Sequence, residues 1–118
     1  MKEQVKQIWI DALTGGEYRQ TTGRLKNKGA MCCLGVLCDL YAKETGKWEW
    51  HKDEVGDWFF ISNNSGEELL LPPPVVKWSG IKNVNGAYRG KDGMSTLTDA
   101  NDSGVKFKKI AELIEENF

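Results

Sequence analysis

The segment Cys32-Cys-Leu-Gly-Val-Leu-Cys-Asp-Leu-Tyr41 constrains this chain more than any other. Cys33, Leu34, Val36, Leu37, Leu40 and Tyr41 leave so few polar positions that a helix over Cys32–Thr45, closed by Gly46, has to be covered on more than one side. In a chain of 118 residues, one ordinary domain in length, the rest of the sequence must supply that cover. About two thirds of the unfolded surface can be buried at this size, enough for a core without metal or disulfide staples.

Two further helices fit the covering role. Val5, Ile8, Trp9, Ala12 and Leu13 recur at spacings of three and four until Gly15 and Gly16 stop the run. Near the other end Phe107, Ile110, Ala111, Ile114 and Phe118 make one apolar face, with Lys106, Lys108, Lys109, Glu112, Glu115 and Glu116 on the wet one. Between them the pattern shortens. Residues 17–31 read as brief extended segments. Lys47–Ser62 reads as a hairpin in which Trp48 and Trp50 alternate on one arm and Trp58 and Phe60 on the other, followed by a turn at Asn63-Asn64-Ser65-Gly66. Pro72-Pro-Pro74 cannot lie inside a helix or a central strand, so a short helical turn is predicted from Pro74 to Ser79, ending at Gly80. Ile81–Met94, rich in Gly and Asn, reads mostly as loop, and Ser95–Leu97 as a short strand. Helix and strand do not alternate regularly, so the expected architecture is α+β. It is one domain over residues 1–118, with about three helices packed on a small, mainly antiparallel sheet that carries the Trp-rich hairpin.

Function classes fall away on charge and on incomplete motifs. The formal net charge of −1 offers no global excess for duplex nucleic acid. No apolar run approaches the ~20 residues that span a bilayer, and the N-terminus is polar throughout, so neither a membrane nor a secretory signal is expected. An odd count of three cysteines, two of them adjacent, reads as reduced thiols of a cytoplasm. Zinc bound by Cys32, Cys33, Cys38 and His51 would need both adjacent cysteines on one ion. The Asp99-x-Asn-x-Ser-Gly104 run begins like a calcium loop but has Ile110 where a bidentate glutamate is required, so helix capping by Asn101, Asp102 or Ser103 is the plainer reading. A Cys32 or Cys33 nucleophile at a helix N-terminus, with His51 as base, completes the catalytic options. No cofactor or metal is expected.

What remains is an aromatic and guanidinium set. Five tryptophans is high for this length, and Arg19, Arg24 and Arg89 are the only three arginines. A flat base with a phosphate needs a stacking ring and a guanidinium. Arg19, Arg24, Trp48, Trp50, Trp58, Tyr88 and Arg89 are therefore the candidate ligand-binding residues, set against the plainer possibility that the Trp hairpin only packs on the helices.

Three segments together resemble a group of small, mostly uncharacterised proteins of tailed phages and prophages. They are the Cys32–Tyr41 run, Leu71-Pro-Pro-Pro-Val-Val-Lys-Trp-Ser-Gly80, and Leu97-Thr-Asp-Ala-Asn-Asp-Ser-Gly-Val-Lys-Phe107 leading into Ile110–Glu115. The resemblance implies a setting, the host cytoplasm, and carries no catalytic residues. Small phage proteins often act by binding: some sequester a nucleotide signal of bacterial defence, and others, such as anti-CRISPR proteins, block a host protein. The expectation is a non-enzymatic counter-defence protein that captures a small nucleotide-type ligand, in a homo-oligomer if two chains are needed to enclose it. The alternatives are an inhibitor of a host defence protein and a cysteine-dependent enzyme.

Overall fold

The structure, a computed structural model, describes residues 1–62 and 65–118. Its centre is a helix over Cys33–Thr45 (α2, numbering the helices in chain order) whose residues 33–38 are all buried. The first helix (α1, Glu3–Thr14), a short one after the prolines (α3, Pro73–Ser79) and another at Leu97–Asp102 (α4) all pack against it. The last helix (α5, Phe107–Asn117) lies along α1 and α4. Burying helix α2 on every side at its N-terminal half is what its sequence demands, because that half has no polar face.

Close approach explains the glycine in the run. A Cβ on Gly35 would lie 2.0 Å from the Leu25 carbonyl oxygen, which also accepts a 3.0 Å hydrogen bond from the Cys32 amide. Only a residue without a side chain lets this strand-flanking backbone settle on the first turn of α2. Gly46 and Gly80 close α2 and α3 at φ 67° and 76°, in the left-handed region that costs other residues energy.

Eight short strands form three small sheets among the described residues. In the first, Ala30–Met31 (β3) lies between Arg19–Gln20 (β1), to which it is parallel, and Lys26–Asn27 (β2), to which it is antiparallel. The second is antiparallel, with Trp58–Ser62 (β5) between Glu49–Lys52 (β4) and Ser65–Glu67 (β6). Its register sets Trp50 opposite Phe60 and Lys52 opposite Trp58. The third is a hairpin of Ala87–Gly90 (β7) and Gly93–Thr96 (β8). The fold is α+β, as the irregular order of helix and strand requires.

Several local expectations change. The proline helix starts at Pro73, one residue earlier, with Pro72 before it. Of the expected turn, Asn63 and Asn64 lie outside the described residues, and Ser65 and Gly66 belong to β6. The expected loop 81–94 contains β7 and the start of β8, because Gly90 and Gly93 end the two strands at a tight hairpin turn instead of marking a continuous loop. Leu97 starts α4, with the Thr96 hydroxyl accepting from the Asp99 amide. Among the described residues there are thus the three main helices expected plus two short ones, and the strands are divided among three sheets instead of one.

Candidate functional site

The tryptophans are largely committed to packing. Trp9 is fully buried and donates from Nε1 to the Cys33 carbonyl at 2.9 Å. Trp78 meets Tyr41 edge-on at 5.4 Å between ring centres. Trp48, just before β4, stacks on the fully buried Phe60 at 5.2 Å, and Trp50 lies 4.8 Å from the same ring. Trp50 Nε1 donates to Asp39 Oδ1 at 3.0 Å. Asp39 Oδ2 accepts from the Tyr18 hydroxyl at 2.6 Å and pairs with Lys43 Nζ at 3.2 Å. Burial, helped by the Asp39 carboxylate, holds the Tyr18 hydroxyl above its ordinary pKa, and the hydrogen bond to Tyr18 raises that of Lys43. Trp58 has the Lys26 ammonium 4.1 Å from its ring centre and Lys52 at 5.7 Å. Lys26 also reaches Trp50 at 5.3 Å, and burial lowers its pKa. The π-faces on this side thus already hold the chain's own cations.

The arginines divide. Arg24 Nη1 pairs with Asp57 at 3.1 Å and Nη2 with Glu68 at 2.7 Å, while its buried Nε has no partner. Its fork tethers the loop after β1 to the Trp hairpin and to the segment after β6. Arg19 is exposed on β1 and Arg89 exposed on β7. The candidate residues therefore fall into separate places. Trp48, Trp50 and Trp58 belong to the Trp hairpin, to which Arg24 is tied from the loop after β1, Arg19 stands on the first sheet, and Tyr88 and Arg89 stand on the β7–β8 hairpin.

Tyr88 and Arg89 do share a hollow. Between the β7–β8 hairpin and α5 lies a cavity of about 670 Å³ lined by Tyr88, Arg89, Lys91, Asp92, Lys109 and Glu116, among others. A second, of about 420 Å³, has Lys82, Asn83 and Phe118 in its wall. Tyr88, Arg89, Met94 and Asn117 line both, so the two are lobes of one trough. Each falls within the roughly 300–1,000 Å³ range of small-molecule sites. Tyr88 rests against Phe118 at 5.8 Å with the rings tilted by 57°. With Lys82, Arg89, Lys91 and Lys109 against Asp92 and Glu116, cationic side chains outnumber carboxylate side chains in the walls, in a chain whose net charge is −1. Sequence reasoning missed the three lysines. Lys82 and Lys91 flank the Tyr88-Arg89 pair and were legible as a local basic cluster. Lys109 comes from another element and shows on a helical wheel only as part of a wet face.

The thiols lose the basis of a nucleophile. Cys32, Cys33 and Cys38 are buried, and burial raises Cys32 to about 11 and the other two well above the ordinary thiol value. His51 is exposed on β4 with Nε2 2.9 Å from Glu49 Oε1. Among the described residues no three His, Cys, Asp or Glu side chains gather as a metal ion would require.

The residues of the former calcium-like run hold the scaffold. Asn101 is fully buried. Its Oδ1 accepts from the Cys33 amide at 3.1 Å and from Gln20 Nε2 at 2.9 Å, and its Nδ2 donates to the Thr21 carbonyl at 2.8 Å. Asn101 therefore caps α2 and not the following helix, whose first amide, that of Phe107, donates to Gln20 Oε1 at 3.1 Å. Leu71, from the proline segment, is buried with its amide bonded to the Val84 carbonyl at 3.0 Å. The most recognisable segments of the sequence are thus engaged in holding the core. No helix among the described residues is long and apolar enough to cross a membrane. No curated protein and no solved structure matches the chain. The whole chain, residues 1–118, matches the family described as Domain of unknown function (DUF8296), and it belongs to that family.

Proposed function

We propose that this protein binds a small nucleotide-type ligand in the trough between the β7–β8 hairpin and α5, and does so without chemical turnover. The observation that carries the reading is the trough itself: a hollow of ligand size with Tyr88 and Arg89 in both lobes and with Lys82, Lys91 and Lys109 in its walls. An aromatic ring gives a base a stacking partner, and a guanidinium with neighbouring ammonium groups suits phosphate. The Trp hairpin, the other candidate, has its rings and its Arg24 already engaged internally. The similarity of three segments to small phage proteins supports a counter-defence role, in which tight capture lowers the free concentration of a host signal by mass action. Calorimetry with cyclic ADP-ribose variants and cyclic oligonucleotides tests this. Binding heat that disappears in R89A is expected, and absence of heat with every such nucleotide sinks the reading.

A second reading, inhibition of a host defence protein, draws on the tip of the Trp hairpin. There Val55 is 82 % exposed in the turn that leads to the half-buried Trp58. A stoichiometric protein partner in a pull-down from host lysate, lost on V55D, favours it over ligand capture.

A further inference from the structure

The two lobes of the trough differ in charge. The larger, against α5, has Asp92 and Glu116 among its walls beside Lys91 and Lys109. The smaller contains no acidic side chain: Lys82 and Arg89 stand there with Asn83, Tyr88 and Phe118. A phosphate is repelled by carboxylates, whereas a sugar hydroxyl donates well to them, as an acidic side chain does when it accepts from a ribose hydroxyl at dinucleotide sites. Both acids are exposed, so neither is needed to hold the fold, and no ion pair engages Asp92 or Glu116 among the described residues.

From this asymmetry we infer that the trough is polar end to end and selects a ribonucleotide. The phosphate sits on Lys82 and Arg89 in the lobe without acidic side chains, the base lies against Tyr88, and the ribose hydroxyls donate to Asp92 and Glu116 in the other lobe. The inference rests on the trough being the binding site and adds the sugar class and the direction of binding.

The test is isothermal titration at low ionic strength with adenosine monophosphate, its deoxyribose counterpart and unphosphorylated adenosine. Wild type, D92N/E116Q and K82A are compared, each checked for an unchanged melting curve. Wild type is expected to bind the ribonucleotide roughly tenfold tighter than the deoxyribonucleotide, the scale of one lost hydrogen bond to a charged group. D92N/E116Q is expected to narrow that ratio severalfold, because a neutral amide oxygen accepts from a hydroxyl more weakly than a carboxylate does, while phosphate-dependent binding persists. K82A is expected to weaken both nucleotides equally, leave adenosine unaffected and reduce the sensitivity to salt. Preserved discrimination in D92N/E116Q overturns the assigned direction. Binding of cyclic nucleotides without binding of adenosine monophosphate also overturns it and leaves the trough as the site. Failure of every nucleotide to bind removes both.

Discussion

The Trp hairpin and the β7–β8 hairpin have similar ingredients and use them in opposite ways. Each sets aromatic and cationic side chains on or beside a short antiparallel ladder, several rings in the first and Tyr88 with Arg89 in the second. In the Trp hairpin the rings pack on Phe60, the Trp50 indole bonds Asp39, the Lys26 ammonium caps Trp58, and Arg24 is shared by two carboxylates. On the β7–β8 hairpin Arg89 is exposed, Met94 is 65 % exposed, and Tyr88 rests on one neighbouring ring with a hollow beside it. A binding group has to be held in place yet left unsatisfied. The first region has its rings packed and its charges paired and therefore contributes stability. The second leaves Arg89 exposed and Tyr88 beside a hollow.

The sharpest way to break this contrast is F60A. Phe60 is fully buried under Trp48, Trp50 and Tyr41, and truncating such a ring costs about 3–5 kcal/mol. Urea unfolding checks it. A loss below about 1 kcal/mol would mean that the Trp hairpin is not part of the core and reopen it as a site.

Alkaline pH acts next, through the buried thiols. Unfolded thiols ionise near their ordinary value of 9.0, while native Cys32 keeps its proton to about 11. The unfolded state therefore loses protons first, and stability falls as pH rises through that window. By pH 11 the contribution of Cys32 amounts to about 2–3 kcal/mol, with Cys33 and Cys38 acting in the same direction. Denaturation midpoints from pH 8 upward measure it. Iodoacetamide at neutral pH should leave all three thiols unlabelled until the protein unfolds.

A smaller effect is expected from D39N, about 1–2 kcal/mol, because Trp50 and Tyr18 bond different oxygens of Asp39, one of which becomes a donor in the amide, and a neutral amide cannot pair with Lys43. A red shift of Trp emission should accompany it as Trp50 loosens. At the bottom of the scale stand R89A and K91A, exposed trough residues whose removal should change stability by no more than about 0.5 kcal/mol. Thermal melts check that, and a large destabilisation would assign Arg89 to the scaffold.

The helices were legible where periodicity and punctuation agree. The α1 pattern, the run of α2 and the apolar face of α5 each predict the helix that forms, and Gly46 and Gly80 end α2 and α3 as their position in the sequence implies. The short α4 was not legible, since its six residues give too few turns for a periodic signal. Asn101 shows the same limit from the side of chemistry. Its residue type announces a capping role, but the helix it caps begins 68 positions earlier in the chain. Of the candidate binding residues, Tyr88 and Arg89 share a cavity, while Arg24 and the tryptophans find partners that sequence spacing does not reveal: Asp57 and Glu68 for Arg24, Asp39 and Phe60 for Trp50.

By itself the sequence determined the class of fold, the buried central helix, the Trp hairpin and its register-setting alternation, since these depend on local periodicity and on where glycine and proline interrupt it. The tertiary structure alone decided which aromatic and cationic groups were satisfied by neighbours and which were left facing a hollow. That outcome depends on carboxylates and rings brought together from distant segments, and no property of a residue's own stretch of chain encodes its distant partners.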